Sequence, residues 1–212
     1  MKLALCLLFA TGLAAQAPLP GLRIEPSPSG SIVYVRNSYS QPLTAYLLEM
    51  VDYPGSSFSM WQDDVADPIP AGEERKYAIR SMLVGAAPDY MKIQAALYAD
   101  GSSAGVPEKA GQLMARRAHV LETAREAIRR IEKAQASGTA KASIIADLKQ
   151  WQESLRPAGK VHIDTQPEIN RDAALTLVTD TIRRLDEESI EPALGELRRL
   201  ERAIASSHPA AR

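Results

Sequence analysis

The sequence predicts an α+β chain, with an antiparallel β-sandwich over residues 22–105 followed by a C-terminal α-helical region of about four helices over 107–206. Three observations carry that reading. All seven tyrosines lie between Tyr34 and Tyr98, with Phe58 and Trp61 among them, whereas beyond residue 100 the one aromatic is Trp151; aromatic and β-branched side chains suit a pleated, half-buried surface. Within the same stretch short apolar runs alternate with clusters of Pro, Gly, Asn and Ser, and the crossover helices that a parallel sheet requires are missing. After Pro107 the composition turns to Ala, Leu, Arg and Glu, and apolar residues recur at the helical spacing.

The chain opens with Met1-Lys2 and an apolar run from Leu3 to Ala15. A basic start, a short apolar stretch and small residues at its end are the layout of a secretory signal peptide, here over residues 1–17 with the cut between Ala14 and Ala17. The run falls short of the roughly 20 residues needed to span a bilayer. Export to the periplasm or the extracellular medium is the expectation. Cys6, the one cysteine, sits inside this segment, so the mature chain is expected to lack disulfides, thiol catalysis, thiolate zinc sites and iron–sulfur clusters.

Leu22-Arg23-Ile24 reads as a strand that ends at Pro26-Ser27-Pro28-Ser29-Gly30, and Ile32 to Val35 as a second that ends at Asn37-Ser38-Tyr39-Ser40-Gln41-Pro42, both strong turn sequences. A longer strand runs from Leu43 to Val51 and turns at Asp52-Tyr53-Pro54-Gly55. Phe58 and Met60 alternate on a short segment, with a loop from Asp63 to Gly72 after it. Tyr77 and Ile79 alternate with Lys76 and Arg80. The clearest period of two places Ile93, Ala95, Leu97 and Ala99 on one face and Lys92, Gln94 and Tyr98 on the other. Several short strands joined by turns, with no helices between them, fit an antiparallel sandwich.

The turn segments Asn37 to Ala45, Ile69-Pro70-Ala71-Gly72-Glu73 and Leu97-Tyr98-Ala99-Asp100-Gly101-Ser102 give residues 22–105 a resemblance to the short immunoglobulin-like modules of exported bacterial proteins. The resemblance implies an immunoglobulin-like β-sandwich. It carries no activity, because its motifs are turns and not site residues.

In the second half, Leu113, Met114, Val120, Leu121, Ala124, Ile128 and Ile131 form a stripe on a helix from about Glu108 to Ala136, entered through Pro107 and ended by Ser137-Gly138. At about 29 residues it would reach roughly 43 Å, beyond a small sandwich, so part of it is free to project. Ile144, Leu148, Trp151 and Leu155 mark a second helix that stops before Pro157. Thr165 and Glu168, at capping-box spacing, open a third carrying Leu175, Val178, Ile182 and Leu185. Ser189 caps a fourth with Leu194, Leu197, Leu200 and Ile204. Each stripe is one-sided, so the helices must cover one another, the sheet or a partner.

Charge excludes one class of function. The chain holds 25 Lys and Arg against 26 Asp and Glu, a net charge of -1, without the basic excess of a nucleic-acid binder. The doublets Arg129-Arg130, Arg183-Arg184 and Arg198-Arg199 are interleaved with Glu122, Glu126, Glu132, Asp186, Glu187, Glu196 and Glu201, as on solvated faces laced by helical ion pairs. Gly101-Ser102-Ser103-Ala104-Gly105 fits G-x-S-x-G, with Ser103 as a candidate nucleophile, but His119, His162 and His208 fall on a helix, a loop and a tail where no sheet positions them. Asp63, Asp64 and Asp67 are candidate calcium ligands, at a spacing that matches no EF-hand. Phe58 and Trp61, beside that acidic loop, are candidate binding aromatics. No cofactor is called for.

The function expected is therefore an exported, non-enzymatic module for protein interaction or envelope structure. It would act on another envelope or extracellular protein, or self-associate through its helices. The alternatives are a secreted serine hydrolase using the motif at 101–105 and a calcium- or carbohydrate-binding module.

Overall fold

A computed structural model describes residues 17–28, 30–52, 56–79, 90–157, 159, 163 and 165–207. Residues 1–16, on which the expected signal peptide and Cys6 fall, and also Arg80, His162, His208 and the side chain of Phe58 lie outside the described residues. The described chain is α+β, with two antiparallel sheets of three and four strands followed by four helices. The first sheet has the order β1-β2-β5, from β1 (Gly21–Ser27), β2 (Gly30–Arg36) and β5 (Glu74–Ile79). The second has the order β4-β3-β6-β7, from β3 (Leu43–Asp52), β4 (Ser56–Asp63), β6 (Tyr90–Tyr98) and β7 (Ser103–Gly105).

The two sheets share one apolar core. Val33 and Val35 of β2 and Ile79 of β5 are buried with Tyr46, Leu48 and Met50 of β3 and with Ile93, Ala96 and Tyr98 of β6. The Asn37 to Pro42 turn is organised from inside. The buried Asn37 amide donates to the carbonyls of Gln41 at 2.8 Å and Ile69 at 2.9 Å, and its Oδ1 accepts the Tyr39 N–H at 3.0 Å. Leu43 and Ile69 then exchange main-chain hydrogen bonds at 2.9 Å, which pins the 64–72 loop to the start of β3.

The other face of the four-stranded sheet carries Ala45, Leu47, Ala95 and Leu97 against Ala110 and Leu113 of the first helix, with Trp61 at the border. Ile93 does not share this face, contrary to the period-two expectation. Opposite Leu47 stands Ala95, but opposite Leu48 stands Ile93, so Gln94 is left over as a bulge. One extra residue reverses the alternation, sending Ile93 to the inter-sheet core and Ala95 and Leu97 to the helix. A similar shift between Leu43 and Ala45 leaves Thr44 without a cross-strand partner on β6.

The leftover Gln94 also anchors the chain where it passes from sheet to helix. Its carbonyl accepts the Val106 N–H at 2.8 Å, just ahead of helix α1 (Pro107–Ala136). Gly105, at φ +86°, brings the backbone so close to β6 that a Cβ there would lie 2.2 Å from the Gln94 oxygen. β7 itself goes beyond the sequence reading, since three residues are too few to show a period.

α1 has 30 residues and spans about 45 Å. It runs on past the sheet, and the part beyond is covered by the other helices. Ala110, Leu113 and Arg117 are buried at its sheet end, while Ala127, Ile128 and Ile131 lie in a second core with residues of α2 (Lys141–Leu155), α3 (Gln166–Glu187) and α4 (Ile190–Ala205). α2 buries Ile144, Ile145 and Leu148, and its Trp151 ring is half-buried beneath the Arg130 guanidinium, 4.8 Å from its centroid. Thr165 opens α3 with its N–H donated to the Glu168 carboxylate at 3.0 Å. Ser189 occupies the corresponding position before α4 but makes no side-chain capping bond. Among the described residues, no helix is long and apolar enough to cross a membrane.

Candidate binding cleft at the sheet–helix junction

Two adjacent arginines of α1 meet opposite fates where the helix leaves the sheet. Arg117 is the largest fully buried side chain, 1% exposed. Its Nε donates to Asp63 Oδ2 at 3.0 Å and its Nη2 to Asp63 Oδ1 at 2.9 Å and to Thr44 Oγ1 at 3.1 Å. The Thr44 hydroxyl, at its bulge, donates a hydrogen bond to the Leu97 carbonyl at 3.1 Å. The forked guanidinium matches a carboxylate's two oxygens, which is how a charge survives burial. Nη1 of Arg117 is buried without a partner.

Arg116 has no such partner. Its Nε is buried with no hydrogen bond, and among the described residues it makes no ion pair. Burial lowers its pKa from the usual arginine value, against the pull of Asp63 and Asp172. Arg116 lines a cleft of about 390 Å³ bounded by the end of β4, α1, α3 and α4, with Trp61, Val120, Leu177 and Leu200 among its walls. Trp61 is half-buried: one part packs on the sheet–helix core and another lines this cleft.

The candidate calcium carboxylates are turned to different partners. Asp63 ends β4 and faces Arg117. Asp64 accepts the Tyr77 hydroxyl at 2.9 Å and pairs with Arg75 at 3.1 Å, while Asp67 takes the other terminal nitrogen of Arg75 at 3.0 Å. Burial pushes the Tyr77 phenol up to about 12. No group of three or more metal-ligating side chains occurs among the described residues.

Ser103 opens β7, exposed, on a strand antiparallel to β6. The preceding turn is held by the Asp100 carboxylate, which accepts both the hydroxyl of Ser102 at 2.6 Å and its N–H at 2.9 Å; the hydroxyl bond leads in keeping Asp100 below the ordinary carboxylate range. His119 lies on α1 with Nδ1 3.6 Å from Glu122. The arginine doublets are interleaved with acids: Arg130 bridges Glu126 and Asp147, Arg198 reaches Glu132 and Arg183 reaches Glu187.

Of the candidate site residues singled out in the sequence, Trp61 and Asp63 come together at this cleft. Arg116 and Arg117 were not among them. The signal for Arg117 is a charge on the apolar stripe, four residues from both Leu113 and Leu121. Comparison with protein-family models, curated proteins and solved structures finds no match to this chain.

Proposed function

We propose that this chain is an exported, non-enzymatic binding module of the cell envelope or extracellular space, in which an immunoglobulin-like β-sandwich carries a helical bundle and the two together form a receptor cleft for another protein. The observation that carries the reading is the cleft itself. A half-exposed Trp61 stands beside the unpartnered cation Arg116, and tryptophan and arginine are the residue types most enriched where binding energy concentrates. The immunoglobulin-like part rests on two antiparallel sheets, of three and four strands, that share a core, and on the turn chemistry around Asn37 and Gly72. Export rests on the character of residues 1–17.

The test places a photo-crosslinking amino acid at Trp61 and, separately, at the exposed Ala146 of α2, in the cells that make the protein. The expected result is one adduct formed from position 61 and absent from 146. Equal labelling from both positions, or none from either, overturns the reading.

A further inference from the structure

The cleft is lined by a cation, Arg116, while the two acids that line it with Arg116 pair with other arginines, and from this we infer its ligand: the free C-terminal carboxylate of an extended peptide, bound by Arg116, with the peptide's last apolar side chain against Trp61, Val120 and Leu177. This deepens the binding-module reading and rests on it.

The charge argument comes first. Both oxygens of Asp63 are committed to Arg117. Asp180, at the α3 wall, pairs with Arg183 at 3.7 Å. Asp172 attracts Arg116 without forming an ion pair with it. Among the described charged residues that line the cleft, Arg116 alone is without an ion-pair partner. Its Nε is buried, so the two terminal nitrogens would meet the carboxylate's two oxygens, a geometry that lysine cannot reproduce. Asp172, which has no ion pair among the described residues, sets the ligand's charge: a multiply charged phosphate would meet its field, whereas a single carboxylate satisfies one guanidinium. The apolar walls call for an apolar group next to that carboxylate.

The strand order makes the ligand a peptide. β4 is the edge of its sheet, with β3 on one side and no strand on the other among the described residues. Trp61, Gln62 and Asp63 of this strand all border the cleft. The Gln62 side chain turns the other way, to Asp64 on the face where Tyr46 is its cross-strand partner, so at Gln62 the cleft borders the strand's edge. An incoming extended chain can add its main-chain hydrogen bonds there while its terminus reaches Arg116.

The experiment incubates the full chain with a random hexapeptide library, acetylated at the N-terminus and free at the C-terminus, and in parallel with the same library amidated; retained peptides are sequenced by mass spectrometry. We expect free-acid peptides with apolar last residues to be enriched about tenfold or more over the amides, a difference of about 1.4 kcal/mol. Arg116→Gln should abolish the preference while melting at or above the wild-type temperature, because it removes an unpaired charge. If that variant melts lower, Arg116→Lys decides instead, since it keeps the charge and loses the fork, and its acid-to-amide ratio should fall severalfold. Equal retention of acid and amide, or a preference that survives both variants, overturns the proposal. Arg116-dependent binding of sodium decanoate with no peptide enrichment also overturns it, in favour of a fatty carboxylate. A position-61 adduct without carboxylate preference removes this inference and leaves the binding module standing; loss of both removes both.

Discussion

Arg117 and Asp63 meet at two points, Nε to Oδ2 at 3.0 Å and Nη2 to Oδ1 at 2.9 Å, and so fasten α1 to the end of β4 across 54 residues of sequence. Removing one partner strands the other in a site where Arg117 is 1% exposed. Asp63→Ala should cost about 3–5 kcal/mol, read from the denaturation midpoint in urea. The double variant Asp63→Leu with Arg117→Met should recover most of that loss, because two apolar groups of similar volume need no counter-charge. A double variant no more stable than Asp63→Ala alone would show that the pair is not what makes the site costly to disturb.

Gly105→Ala should be among the most damaging single substitutions in the chain. It combines a left-handed φ of +86° with a Cβ placed 2.2 Å from the Gln94 oxygen, a backbone atom that cannot step aside. The strained φ alone costs about 1–3 kcal/mol, and displacing β7 from β6 adds to it. Gly138→Ala is the control: its φ is +67° but nothing lies within 4 Å of the new Cβ, so only about 1–2 kcal/mol should be lost. Equal losses at the two positions would remove the close approach as the cause.

The helical Gly111 and Gly195 have open space where a Cβ would stand. Replacing each with Ala should raise stability by about 0.8–1 kcal/mol through helix propensity. The two gains should add, because the sites lie on different helices and do not share a core.

At high pH the tyrosines should govern stability. Burial pushes the phenols of Tyr77 and Tyr98 up to about 12, above the unfolded value of about 10. Between those values the folded chain binds more protons than the unfolded one, so the stability these groups contribute is fully present below pH 10 and is lost as pH rises towards 12. Urea midpoints measured across that window should fall, less steeply in Tyr98→Phe, and ultraviolet titration should resolve a late phenol class. A single phenol class near 10 would contradict the burial of these rings.

How much of the molecule is legible in its sequence depends on how far each signal reaches. The helices were legible because their stripes are local: Leu113 to Ile131 repeats within one element, and Thr165 with Glu168 marks an entrance within four residues. The strand positions were legible from turn chemistry, as with Asn37, whose amide orders the loop that its own sequence announces. The face assignment of β6 was not, because a single bulge residue reverses the alternation and Gln94 looks like any other polar strand residue. The cleft was half visible. Trp61 stood out by type, whereas Arg116 matters because partners are missing around it, and a missing partner is a property of three dimensions.

α4 forms the last wall of the molecule. Leu194 and Leu197 close over Ala127, Ile128 and Ile131, and Leu200 and Ile204 complete the cleft. During synthesis from the N-terminus, α1 is finished some fifty residues before α4 begins; α2 and α3 cover part of its inner face in that interval, and the part under Leu194 and Leu197 waits for α4. The cleft is therefore complete only once α4 has been made. A chain that stops short of Ile190–Ala205 lacks Leu200 and Ile204 at the cleft and leaves apolar residues of α1 and α3 uncovered, the kind of exposed surface that favours aggregation.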